Sequence, residues 1–212
     1  ATVIAVTLGG LLAWGIVRTR MAGKRFFEAI FVIPMLIPSL SHGMGLILLF
    51  GANGIVTKTL DWDGSIYGFW GIVIGSVLYA LPVAFLMIAD LLKYESRAHY
   101  EAADVLGIPR SSQFIHLTLP YLAKPMIGVI FAIFTLVVTD YGVPLMIGGK
   151  FTTLPVLMYQ ETIGLLNFGK GAVIGSLLLV PAVLAFVLEL GTRQSRAEGQ
   201  TVRIGDRAHS QW

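Results

Sequence analysis

EAADVLGIPRSSQFIHLTLP, Glu101 to Pro120, is a polar passage set between two long apolar runs. Starting at Tyr94, the residues Tyr94, Ala98, Ala102, Val105 and Leu106 recur at helical spacing and make one apolar face, with Glu95, His99 and Asp104 mostly off it. Gly107 follows where a left-handed residue closes a helix. Pro109 suits the first turn of a second helix, and Pro120 marks the boundary before the next apolar run. The passage reads as helix, glycine hinge, helix. Small side chains at Ala102 and Ala103 let another protein's surface come close, with the charge of Glu101 at its edge. What such a unit serves depends on its flanks.

Those flanks are apolar. Of the 212 residues, 56% are hydrophobic and only 13% charged, and the mean hydropathy is +0.79. A soluble domain carries charge at about a quarter of its positions. Cysteine is absent, which removes a disulfide framework and any thiolate metal site. The pI near 9.3 could suggest nucleic acid, but the basic residues fall between apolar runs rather than on one patch, which is a membrane-topology pattern. The reading is therefore no nucleic acid and a lipid bilayer as surroundings.

A hydrocarbon core about 30 Å thick needs roughly 20 apolar residues per helix. Five segments meet or approach that length: 1–17, 28–50, 67–92, 122–147 and 171–190. Backbone groups in lipid must be satisfied within the segment, which favours helices, and the short alternating segments of a transmembrane β-barrel are not seen. The fold class is all-α, a polytopic transmembrane helical bundle. Pro34, Pro38, Pro82, Pro125, Pro144 and Pro181 interrupt the runs, as membrane helices tolerate when neighbours serve the freed carbonyls. The opening run ATVIAVTLGGLLAWGIV has no basic segment before it and no small-residue cleavage site after it. It reads as a membrane helix rather than a secretory leader, and as one that starts inside a longer chain.

Lysine and arginine set the orientation. Loop 18–27, loop 93–121 with its flank, and the tail hold twelve of them, and the opposite side holds Lys58, Lys150 and Lys170. The positive-inside rule places the N-terminus outside, and the tail and Glu101–Pro120 in the cytoplasm.

With the loop on that side, its letters gain meaning. Glu101, Ala102, Ala103, then Gly107, then Leu117, Leu119 and Pro120 follow the spacing Glu-Ala-Ala, three residues, Gly, nine residues, an aliphatic residue, one residue, Leu-Pro. This resembles the cytoplasmic loop motif of ABC importer permeases, the binding-protein-dependent (MetI-like) inner-membrane components. Leu117 stands where that family usually shows isoleucine, a swap of similar volume. The resemblance covers roughly residues 1–190 as the permease domain. It implies that the loop forms coupling helices docked on a cytoplasmic ATP-binding subunit dimer, with Glu101, Ala102, Ala103 and Gly107 docking and Leu119 and Pro120 fixing the exit into the next span. It also implies a second permease half or subunit and a periplasmic or extracellular solute-binding protein. The stretch from Thr139 to Phe186 resembles permeases grouped with ferric-iron, 2-aminoethylphosphonate, putrescine and thiamine systems. The reading leans to the iron and aminoethylphosphonate branch, some of whose members fuse two permease halves, so that this chain would be one half.

Other chemistries have little footing. The nearest phosphate-binding loop, PLMIGGKFTT, has Pro144 and Phe151 where Gly and Ser or Thr are required, and it faces outside. ATP hydrolysis therefore falls to a partner, and no cofactor is expected. His42, His99, His116 and His209 are scattered and no metal site is read from them. For His42, inside the second span, a bond to a neighbouring helix competes with a contact to the solute. Asp140 is an ionisable group in the outer half of a span, beside Gly142, Pro144 and the Gly148–Gly149 pair, where the helix should break. Broken helices at depth line protein-enclosed cavities, so Asp140, Tyr141 and His42 are candidates for the translocation path. A cap or packing contact reads equally well for Asp140. Residues 153–171 are too polar and too short to cross, and with residues 51–65 would cover the outer mouth, where a binding protein docks. The tail, 191–212, is charged and reads as disordered. A secondary transporter driven by an ion gradient is the alternative, but it calls for charged or unwound half-helices in two repeats, and no convincing repeat is found.

Overall fold

The computed structural model describes residues 1–18, 23–61, 64–93, 98–184 and 186–187. The expectations at Tyr94 and Glu95 and for the tail 191–212 lie outside the described residues.

The apolar runs are helical and, among the described residues, no strand occurs. In order these are α1 (Thr2–Arg18), α2 (Lys24–Val32) followed by a 3₁₀ turn (Ile33–Leu36), α3 (Ser39–Phe50), α4 (Ile55–Thr59), α5 (Phe69–Lys93), α6 (Ala98–Val105), α7 (Arg110–Gln113) with a π turn (Phe114–Thr118), α8 (Leu119–Val138), α9 (Gly142–Ile147), and α10 (Leu154–Tyr159) with a second π turn (Gln160–Gly164). A further apolar helix, α11, spans Phe168–Leu184. Among the described residues three stretches are long and apolar enough to cross a membrane, Ser39–Thr59, Phe69–Lys93 and Arg110–Val138. Thr2–Arg18, Phe26–Leu36 and Phe168–Leu184 are shorter apolar helices.

Helix ends differ from the sequence reading where proline and hydrogen bonding compete. Residues 28–50 are not one helix. Pro38 forces Ile37 out of the helical region, to ψ 129°, and α3 begins afresh at Ser39. At Pro120 the reverse happens: the helix does not stop but runs from Arg110 to Val138. In the π turn the Leu119 amide reaches back five residues to the Phe114 carbonyl. The ladder is thus already in wide register where it meets a proline that has no N–H to give.

Small residues set the packing, as expected where helices meet without a hydrophobic drive between them. α1 lies along α5, and a Cβ built at Gly9 would come within 2.9 Å of the Phe85 amide nitrogen. Ala5, Ala13, Ala80, Ala84, Phe85 and Ile88 form the core there, which Val129 and Ile133 of α8 complete. A second cluster joins Leu46 of α3, Ile66, and Val143 and Ile147 of α9. Gly43 sits against Met146, and Gly75 against Val143.

The two ends of the bundle are separately tied. At one, Lys93 pairs with Glu28 at 3.4 Å and the Arg18 guanidinium lies 4.0 Å over the Tyr100 ring. At the other, Gly68 N–H donates to the Ile147 carbonyl at 2.8 Å, and Phe69 packs edge-on to Phe151. The loop 98–118 therefore sits at the end opposite α9 and the segments that follow it.

Candidate functional site

α6 ends in a two-bond cap. Ile108 N–H donates to the Ala103 carbonyl at 2.9 Å and Gly107 N–H to the Asp104 carbonyl at 3.1 Å, the paired pattern that closes a helix through a left-handed residue. Gly107 has φ +69°, as its place after the last apolar residue implied. Pro109 stands one residue earlier than expected, as the N-cap of α7, with φ −65° and ψ 145°. Its carbonyl accepts from Ser112 and Gln113.

The apolar face of this helix is turned differently from the sequence reading. Ala103 is the side chain that faces in, 4% exposed, while Val105 is 87% and Leu106 76% exposed. Ala102 and Glu101 are exposed as well. The two aliphatic residues belong to an outward surface, not to the seam with the bundle. Periodicity identified a face but could not say which partner would cover it. Leu117 is half-buried, and Leu119 and Pro120 are exposed on the continuous helix, so they mark no separate exit into the next span.

One residue of the loop escaped the sequence reading. Gln113 is 5% exposed, and its amide donates to Asp104 Oδ1 at 2.8 Å and to the Ile108 carbonyl at 2.8 Å. Asp104 lies across the hinge, on α6, and Ile108 lies in the hinge itself. A lone Gln after two serines gives no periodic signal.

At the far end, α8 stops at Val138 and α9 starts at Gly142. Asp140 lies between, 8% exposed. Its Oδ1 accepts from Gly142 N–H at 3.3 Å and its Oδ2 from Val143 N–H at 3.2 Å. The carboxylate meets the first orphan amides of α9, where the positive end of the helix favours an anion. Gly142 is required by space, because a Cβ there would run into Ser39 and Leu40.

His42 is bonded within its own helix, not across to a neighbour: Nδ1 lies 3.2 Å from the Pro38 carbonyl. That oxygen can only accept, so Nδ1 carries the proton and Nε2 is the nitrogen left for other contacts. The ring packs edge-on to Tyr79 of α5 at 5.7 Å, a contact the sequence reading did not foresee. Tyr141 goes elsewhere. Its ring is 4.8 Å from that of Tyr159, on a cavity of about 520 Å³ shared with Thr139, Met158 and Thr162. Among the described residues no group of three or more His, Asp or Glu side chains could hold a metal.

Comparison with known proteins agrees with the family resemblance. Residues 5–190 match the family profile described as binding-protein-dependent transport system inner membrane component. The ferric transport system permease protein FbpB of Actinobacillus pleuropneumoniae is 28% identical over 187 residues, covering 84% of this chain and 27% of that protein. The sulfate transport system permease protein CysT of Escherichia coli is 25% identical over 201 residues, covering 92% of this chain and 72% of CysT. The chain thus spans little more than a quarter of the length of the FbpB relative it matches. Among solved structures, a bacterial alginate ABC transporter in complex with an alginate pentasaccharide-bound periplasmic protein superposes with a TM-score of 0.67 at 16% identity. That match covers 88% of this chain and 70% of that one, a likeness of fold.

Proposed function

The chain belongs to the binding-protein-dependent transport system inner membrane component family, and we propose that it serves as a transmembrane permease subunit of an ATP-binding cassette importer. Residues 1–190 form the membrane domain and cross five times. The cytoplasmic loop receives the stroke of a separate ATP-binding subunit dimer, which hydrolyses the nucleotide. The observation that carries this reading is the outward face of α6: Val105 and Leu106 stand 87% and 76% exposed beside Glu101 and Ala102, on a helix closed by the Gly107 cap. Two aliphatic side chains that leave the bundle's own packing at a polar loop suit a protein groove better than water.

The test is association. The permease with its ATP-binding subunit, solubilised in detergent, should co-purify, and Leu106→Asp should lower the apparent affinity by about thirtyfold, the equivalent of a buried anchor worth about 2 kcal/mol. Undiminished co-purification of Leu106→Asp would move the docking face elsewhere.

The setting follows from the charges. In a bacterial inner membrane the loop faces the cytoplasm and the segments 51–65 and 153–171 face the solute-binding protein. Cysteines introduced at Lys58 and Lys150, both exposed, should react with an impermeant thiol reagent added to intact cells, and one at Arg110 should not. Labelling at Arg110 from outside would reverse the topology and remove the coupling assignment with it.

The cargo is a small solute, with ferric iron or 2-aminoethylphosphonate the first candidates to assay. The FbpB likeness supports the iron branch, and the CysT likeness at similar identity shows why the binding protein must be assayed as well. A second permease half or subunit completes the pathway. In this reading Asp140 borders it at the start of α9 and His42 on α3, with Tyr141 on the α10–α11 side.

A further inference from the structure

Among the described residues α6 shares no extended packing interface with any other helix. Its attachments are few and specific. One is the chain itself through Gly107. Another is Tyr100, whose hydroxyl meets Thr118 Oγ1 at 2.5 Å, with Thr118 only 1% exposed in the π turn, and whose ring lies 4.0 Å beneath the Arg18 guanidinium of α1. The third is Gln113. A primary amide nitrogen carries two N–H groups, and here both are used, one on the Asp104 carboxylate of α6 and one on the Ile108 carbonyl of the hinge. The side chain is buried, so water cannot readily take its place. No other neutral side chain of that reach offers two donors from one atom: leucine offers none, and glutamate would set its charge against Asp104.

We propose that Gln113 is a positioning residue for energy coupling: it locks the Gly107 hinge so that displacement of α6 passes to α8 instead of being absorbed in the loop. This rests on the reading of the loop as the ATPase contact. With the clamp in place, α6, the hinge and α7 move as one body, and α7 is continuous with α8 through the π turn. Without it, the two backbone bonds at a glycine and the contacts of Tyr100 with Thr118 and Arg18 hold α6 only at its ends and leave the hinge itself to bend.

The experiment uses the assembled transporter in nanodiscs, with spin labels on cysteines at His99 in α6 and Lys124 in α8, both exposed, and Mg-ATP with vanadate as the probe. The wild-type interlabel distance distribution should be narrow and should stay so when vanadate traps the closed ATPase. Gln113→Leu should broaden it at least twofold and lower the movement of the α8 label, while the ATPase still co-purifies. Gln113→Glu should do the same, and adding Asp104→Asn to it should narrow the distribution again, because the new amide can donate to the new carboxylate. A narrow distribution in Gln113→Leu would overturn the proposal and leave the permease reading standing. So would loss of ATPase binding in Gln113→Leu, which would make Gln113 a docking residue, or failure of the paired variant to improve on Gln113→Glu. A wild-type permease that bound no ATPase would overturn both readings.

Discussion

Gly107→Val is expected to cut uptake by about tenfold or more while the protein still inserts and accumulates normally. The reason is conformational rather than steric, since a Cβ at this position would meet nothing within 4 Å. The backbone sits at φ +69°, and holding a β-branched residue there costs about 1–3 kcal/mol. The loop has a cheaper escape: it gives up the left-handed turn and the two bonds from Gly107 and Ile108 to the last turn of α6. The angle of α6 is then lost, and with it the presentation of Val105 and Leu106. Gly107→Asn separates geometry from bulk, because asparagine tolerates the left-handed region, and it should retain most of the activity. Glu101→Ala should also be mild, since an exposed charge contact contributes little. Uptake into reconstituted vesicles, measured with ATPase activity and subunit pull-down, reads all three. Normal transport by Gly107→Val with failure of Glu101→Ala would mean that charge, not hinge geometry, makes the contact.

The hinge could be read from sequence because its cause is local. A glycine after a helical apolar pattern, followed two residues later by proline, admits few backbone solutions, and the structure adopts the one with a left-handed glycine. The helical class could be read for a similar reason, as an apolar run of this length must satisfy its own backbone. What stayed hidden depends on partners the chain does not name. Periodicity placed Val105 and Leu106 on an apolar face, yet that face points away from the bundle. The side chain of this helix that is buried is Ala103, the alanine that the pattern left out. Gln113 was invisible because its value lies in two acceptors brought to it only by the folded hinge.

Proline shows the same division. Pro38 breaks its span by sending Ile37 to an extended conformation, whereas Pro120 is carried through a helix by the five-residue π turn Phe114–Thr118, which no propensity forecasts. The path candidates were found as residue types but not as a constellation. Asp140 turns to the amides of α9, His42 packs against Tyr79, and Tyr141 lies against Tyr159. No spacing in the sequence forecasts that Tyr79 meets His42, since it comes from another helix.

Asp140 allows a prediction in which cap and charge part company. Its two oxygens serve the amides of Gly142 and Val143, and removing a cap of this kind costs about 0.5–2 kcal/mol. Two buried N–H groups are then left unmet at the start of α9, which is packed on α3 and α5 through Gly43, Gly75 and Val143. A loss of about 1–2 kcal/mol in one conformer shifts its population by about 5- to 30-fold, so Asp140→Ala should lower uptake within that range while ATPase association stays intact. Asp140→Asn keeps one acceptor oxygen without the charge. If the carboxylate acts as the cap of α9, Asn should restore most of the uptake and the thermal midpoint of the purified protein. Should Asn transport as poorly as Ala while melting like the wild type, the charge itself would be serving the solute. Full uptake by Asp140→Ala at normal abundance would reduce the residue to a packing detail at the end of α8.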